Sequence, residues 1–226
     1  MIGPRPARLV VVVGTGTEVG KTWVASRLLR DLRAEGHAVA ARKPAQSFGA
    51  ADRTTDAHVL GAATGEEPTV VCPRHRWYTE PMAPPMAADA LGRPPFTVED
   101  LFDETTWPDP PPALGLVETA GGVRSPQAHD GDAVALVERL EPDVVVLVAD
   151  AGLGAINAVR LSLEAVDHGA HVAERLVVLN RHDPADDLHR RNRAWLEGAL
   201  DAEVLTSVPA LVARLRPPGP QGPARP

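Results

Sequence analysis

An apolar run, Leu9-Val10-Val11-Val12-Val13, passes into Gly14-Thr15-Gly16-Thr17-Glu18-Val19-Gly20-Lys21-Thr22 and then into a helical pattern. Strand, glycine-rich turn and helix, in that order, are the context of a phosphate-binding loop. Backbone N–H groups of such a turn and the positive end of the helix dipole face an anion. Lys21 adds a full positive charge that reaches terminal phosphates, and the Thr22 hydroxyl suits Mg²⁺. The common form of the loop places a glycine five residues before Gly20. Thr15 stands there and Gly14 lies one residue earlier, so this is a variant loop.

The chain has 226 residues, enough for one sizeable α/β domain with a full core. Hydrophobic residues make up 44%, as in a soluble globular protein. No apolar run approaches the roughly 20 residues of a membrane span. The Leu9–Val13 run is too short for a signal-peptide core and leads straight into the loop, so a cytoplasmic protein without a membrane partner is expected. The single Cys72 excludes an internal disulfide framework and any multi-cysteine metal site. A net charge of −7 argues against nucleic acid as the main partner. The eight histidines form no metal-ligand spacing and receive no ligand role.

Beyond the loop, Val24, Leu28, Leu29 and Leu32 form one buried helical face, with Gly36 as its C-terminal stop. A strand over 38–42 ends at Lys43-Pro44, which places Lys43 at a strand's carboxyl end. A short helix is expected over 56–65, with Asp56 as N-cap or site residue. Residues 68–95, rich in proline, read as an irregular functional loop or lid. Thr97 and Asp100 open a helix as a capping box. The second half alternates regularly: strand 114–118, helix 133–140, strand 144–149, helix 155–168, strand 176–179, helix 186–200 and a last strand over 204–208. Such alternation implies an α/β fold of P-loop NTPase type, a mainly parallel sheet with helices on both faces. Residues 1–215 are expected to form one domain, and the proline-rich 216–226 a disordered tail.

Ligands of such sheets bind at the carboxyl ends of the strands. The loop, Lys43, Glu118 and Asn180 all fall there, and Asp56 lies at a helix start. Lys43 suits substrate oxygens or transition-state charge. Glu118 suits Mg²⁺. Asn180 offers a donor and an acceptor, which matches an adenine edge.

These residues resemble the dethiobiotin synthetase family, over Leu9 to about Leu211. The motifs that carry the resemblance are the Gly14–Thr22 loop, Arg42-Lys43-Pro44 with Ser47, and Thr55-Asp56-Ala57. They continue with the segment Tyr78–Pro85, Val117-Glu118-Thr119-Ala120-Gly121-Gly122, Leu153–Asn157, Asn180 with Pro184, and Val208-Pro209-Ala210. The resemblance implies ATP-dependent carboxylation and ring closure of 7,8-diaminononanoate with CO₂, through a carbamate and a carbamic–phosphoric anhydride. It implies Lys21, Lys43 and Thr17 as catalytic groups, and Thr22, Asp56 and Glu118 as Mg²⁺ ligands. It implies contact with the nucleotide from Glu18, Val19, Gly20, Trp23, Gly121, Asn180, Arg181, Val208, Pro209 and Ala210. Ser47 and Pro85 would meet the substrate. So would Gly154, Ala155, Ile156 and Asn157, supplied by the second subunit of a homodimer. Thr119 departs from the family's glycine and puts a β-carbon where it is expected to crowd the γ-phosphate or substrate. Trp195 is expected near an aromatic substrate wall. The rival reading is a regulatory or partitioning ATPase of the same superfamily. Such proteins usually carry a second lysine inside the loop, where this chain has Thr15 and Gly16. A cobyrinate-amidase-like synthetase would need an added glutaminase domain, and a divergent synthetase would take another diamine.

Overall fold

The computed structural model describes residues 4–218. The strands are β1 (Leu9–Gly14), β2 (Val39–Arg42), β3 (Gln46–Ser47), β4 (Trp77–Tyr78), β5 (Leu114–Glu118), β6 (Pro126–Ala128), β7 (Gly131–Asp132), β8 (Val144–Asp150), β9 (Glu174–Asn180) and β10 (Glu203–Leu205). The helices are α1 (Lys21–Ala34), α2 (Asp56–Thr64), α3 (Pro68–Val71), α4 (Pro84–Ala90), α5 (Val98–Glu104), α6 (Ala133–Leu140), α7 (Ala155–Gly169), α8 (Asp187–Ala199) and α9 (Val208–Leu215). Six strands form one parallel sheet in the order β10-β9-β8-β1-β5-β2.

The uninterrupted apolar run of β1 follows from this placement. It lies inside the sheet, with β5 on one side and β8 on the other. Its side chains alternate between two cores. Leu9, Val11 and Val13 pack with α6 and α7 through Leu136, Val159 and Leu163. Val10 and Val12 pack with α1 and α9 through Val24, Leu28 and Leu211. After β1 the chain runs to β2 on one side, and later to β8 on the other. Such a divergence opens a crevice at the carboxyl end of β1.

Two segments differ from their sequence patterns. Residues 68–95 are not an irregular loop. Pro68 and Pro84 each start a helix, since proline's missing N–H and fixed φ suit a first turn. Tyr78, Ala87 and Ala88 are buried there, and β4 pairs with β3. The last strand stops at Leu205, not Val208. Ser207 caps α9 by accepting from the Ala210 N–H, and Pro209 favours the helix. Thr97 and Asp100 do form a capping box. Gly36 closes α1 by donating to the Arg33 carbonyl while His37 donates to Leu32. Arg216 donates to Glu35 at 2.7 and 2.8 Å, and the tail from 219 onward lies outside the described residues. Among the described residues no helix is long and apolar enough to cross a membrane.

Candidate active site

The Gly14–Thr22 loop joins β1 to α1 with left-handed backbone at Glu18 (φ 60°) and Gly20 (φ 92°). Gly20 is required twice over. Its φ is strained for any side chain, and a β-carbon there would lie 2.1 Å from Asn180 Nδ2. The Asn180 amide donates to the Val19 carbonyl at 2.9 Å, and Arg181 donates to the Glu18 carbonyl at 2.9 Å. Both residues at the end of β9 therefore fasten the loop. Lys21 Nζ donates to the Gly16 carbonyl at 2.9 Å. Burial, and then repulsion from Lys43, push the Lys21 amine down to about 8, and a bound phosphate would favour its charged form further.

Four side chains from four elements meet beside the loop. Lys43 follows β2, Glu118 ends β5, Thr22 lies in the first turn of α1, and Asp56 starts α2. Lys43 Nζ lies 2.7 Å from Glu118 Oε1 and 2.8 Å from Asp56 Oδ2, and donates to the Thr119 carbonyl at 3.3 Å. Thr22 Oγ1 lies 2.9 Å from Asp56 Oδ1 and 2.8 Å from Glu118 Oε1. Lys43 is 2% exposed and Glu118 0%. Burial alone would lower the Lys43 amine, but Asp56 and Glu118 outweigh it and hold the amine above the usual lysine value. Lys43 in turn holds the Asp56 carboxyl below its ordinary value. Burial pushes the Glu118 carboxyl up. Asp56 does not cap α2. Thr55 occupies that position and donates its N–H to His58 Nδ1, which leaves the Asp56 carboxylate to the cluster.

The oxygens suit a hard divalent cation. One Thr22 hydroxyl hydrogen cannot serve both carboxylates, and Glu118 Oε2 is buried without a hydrogen-bond partner. Two carboxylates and a hydroxyl form an oxygen-only set of the kind that holds Mg²⁺ together with phosphates and water. Among the described residues no group of three or more His, Cys, Asp or Glu gathers as a separate metal site. Cys72 is buried, and burial pushes its thiol up, so it is inert.

A cavity of about 780 Å³ opens over this cluster. Thr17, Glu18, Gly20, Lys21, Thr22, Lys43, Ser47, Asp56, Glu118, Gly121 and Arg181 line it, and they come from five segments of the chain: the loop, Lys43–Ser47, the start of α2, the end of β5 with the turn after it, and the end of β9. Ser47 donates to the Met82 carbonyl, which ties the wall to the Tyr78–Pro85 segment. Pro84 lines the cavity, whereas its buried neighbour Pro85 does not. Trp23 lies outside it, 54% exposed on α1. Val208, Pro209 and Ala210 also lie outside it, at the start of α9. Gly154, Ala155, Ile156 and Asn157 open α7, likewise away from it. Trp195 stacks under Arg160 on the surface. Thr119 does not crowd the cavity. It is 0% exposed, its N–H donates to the Val12 carbonyl at 3.1 Å, and its hydroxyl points to the same carbonyl at 3.4 Å. The sheet absorbs its β-carbon. Sequence reasoning missed Gln46, Phe48, Asp52 and Ser125 in the wall. Gln46 and Ser125 were signalled only by closeness to Lys43 and Gly121.

A parallel sheet, a phosphate loop on β1 and a basic–acidic cluster at the strand ends define a P-loop NTPase-type nucleotide-binding protein. The AAA-domain family matches residues 8–215. The ATP-dependent dethiobiotin synthetase of Streptomyces coelicolor is 32% identical over 209 residues, covering 92% of this chain and 87% of that protein. That of Haloferax mediterranei is 35% identical over 206 residues, covering 90% and 84%. The chain belongs to the ATP-dependent dethiobiotin synthetase family, a family of ligases. A plasmid partition protein from Borrelia burgdorferi superposes with a TM-score of 0.56 at 9% identity, covering 93% of this chain and 96% of that one. That likeness is one of fold alone.

Proposed function

We propose that this chain uses ATP to join CO₂ to 7,8-diaminononanoate and close the ureido ring of dethiobiotin. One amine takes up CO₂ and loses a proton, giving a carbamate. A carbamate oxygen attacks the γ-phosphorus of ATP and ADP leaves. The second amine attacks the carbonyl carbon of the resulting mixed anhydride, phosphate leaves, and the five-membered urea closes.

The observation that carries this reading is the placement of Lys43. It is a buried, fully charged amine beside the loop on one side and the cavity on the other. Two anions must be held together for phosphoryl transfer, and fixed positive charge in a low-dielectric site favours the transfer. Loop N–H groups and Lys21 hold the phosphates. Lys43 offsets charge on the carbamate and the transferring group, Thr17 donates to their oxygens, and Ser47 does so on turning its one hydroxyl hydrogen from the Met82 carbonyl to the substrate. Thr22, Asp56 and Glu118 would hold Mg²⁺, which when bound offsets charge on the phosphates. Asn180 and Arg181, which fasten the loop through the Val19 and Glu18 carbonyls, would meet the base of the nucleotide.

The substrate's distal carboxylate docks on the backbone N–H groups at Gly154–Asn157 of a second copy, where the positive end of α7 suits an anion. These residues lie outside their own cavity, and Leu153 before them is 93% exposed, which supports a site shared between two copies. The test is to mix purified protein with ATP, Mg²⁺, bicarbonate and 7,8-diaminononanoate. One phosphate per dethiobiotin is expected, and absence of the ring product at saturating substrates overturns the reading.

A further inference from the structure

Gln46 belongs to the cavity wall, on the segment that carries Lys43 and Ser47, and is 1% exposed. Its Oε1 accepts from the Ala57 N–H at 3.0 Å. Because that partner is a donor, the amide has only one sensible orientation, with Nε2 turned away from Ala57. Nε2 is buried and has no hydrogen-bond partner among the described residues. Buried amide donors without an acceptor are uncommon, and each calls for a reason. Here the amide is anchored, its residue belongs to the lining of the cavity, and it lies three residues after Lys43, across Pro44 and Ala45, so a small side-chain shift brings the donor to a bound oxygen.

We infer that Gln46 Nε2 is a substrate-contacting donor that holds an anionic oxygen of the carboxylated amine, next to the charge of Lys43. Its Oε1, through Ala57, sets the same amide against the first turn of α2, one residue from the Asp56 carboxylate. One side chain thereby ties the position of the carbamate to the position of Asp56. The inference rests on the proposed carboxylation, and it deepens that reading by naming the group that selects the carbamate over the free amine.

Two variants separate the ends of the amide. Gln46→Glu keeps an oxygen for the Ala57 N–H and removes the donor. Gln46→Met removes both at similar volume. Losing a hydrogen bond to a charged group costs about 10- to 100-fold in occupancy. Both variants are therefore expected to lose that factor in enzyme-bound carbamate, measured by ¹³C NMR with labelled bicarbonate and 7,8-diaminononanoate. ATP affinity by calorimetry is expected to stay within about threefold, because the donor faces the carbamate rather than the triphosphate. Full carbamate in Gln46→Glu with loss only in Gln46→Met would show that the Ala57 contact alone matters, and would overturn the inference. Parallel loss of carbamate and ATP binding in both variants, with a lower Tm, would assign a purely structural role and also overturn it. Wild-type protein that makes no dethiobiotin removes the functional reading, and the inference with it. Active wild type beside an equally active Gln46→Glu removes the inference alone.

Discussion

Replacing Lys43 with methionine keeps most of the side chain's length and removes its charge. At 2.7 Å from Glu118, with an effective dielectric of about 20, the gross attraction is about 6 kcal/mol. Desolvation of both groups takes back much of that, so the pair's net contribution is smaller than its removal cost. Removing only the cation leaves the Glu118 carboxylate at 0% exposure with nothing to offset it. Such a loss costs about 3–5 kcal/mol. The Asp56 contact adds less, because its carboxylate is 40% exposed and screened by solvent. The double variant Lys43→Met with Glu118→Gln leaves no uncompensated buried charge and is expected to be more stable than Lys43→Met alone. Urea unfolding in metal-free, nucleotide-free buffer, followed by tryptophan fluorescence, measures all four corners of the cycle. A single-variant loss below about 1 kcal/mol, or a double loss equal to the sum of the single ones, would refute a tightly coupled buried pair.

Gly20→Ala places a β-carbon against Asn180 at φ 92° and should cost at least about 1–2 kcal/mol while weakening ATP binding; unchanged affinity by calorimetry contradicts the loop geometry. Glu104 is paired with Arg76 at 2.7 and 2.8 Å; burial alone would raise its carboxyl, but hydrogen bonds from Arg76 and then His75 hold it below the ordinary value of 4.5. The native state therefore binds this proton less readily than the unfolded chain. The pair's stabilisation is present above pH 4.5 and fades as pH falls through the lower native value, so wild type should lose its advantage over Glu104→Gln on acidification in thermal melts. An advantage that does not shrink as the pH is lowered below 4.5 would contradict this. Leu153→Asp should give a folded monomer by sedimentation with ring-closing activity reduced at least tenfold, an order set by the lost anion contact; a fully active monomer rules out the shared site.

Much of this protein is written in local chemistry. The run from Leu9 to Thr22 contains its own strand, turn and helix start, because each depends on neighbours in sequence. Alternating strands and helices imply parallel pairing for the same reason, since a parallel connection needs a crossover. Lys43, Asp56 and Glu118 are legible as strand-end or helix-start residues. Patterns failed where tertiary burial overrode composition. The prolines of 68–95 suggested irregularity, yet Pro68 and Pro84 begin helices, and Tyr78 and the Ala87–Ala88 face of the second helix are buried. Val204–Val208 looked continuous, but Ser207 and Pro209 divide a strand from a helix.

By itself, then, the sequence determined that a phosphate-binding loop follows β1, which family the chain resembles, and which charged residues stand near strand ends. Only the tertiary structure decided that Lys43, Thr22, Asp56 and Glu118 touch, since they are separated by up to 96 positions in the chain. It also decided that Thr119 turns its β-carbon into the sheet rather than toward the site, and that Gln46, a residue of the cavity lining, keeps a spare buried donor. A side chain's direction, and the partner left over for it, depend on elements distant in sequence. No local period or propensity encodes them.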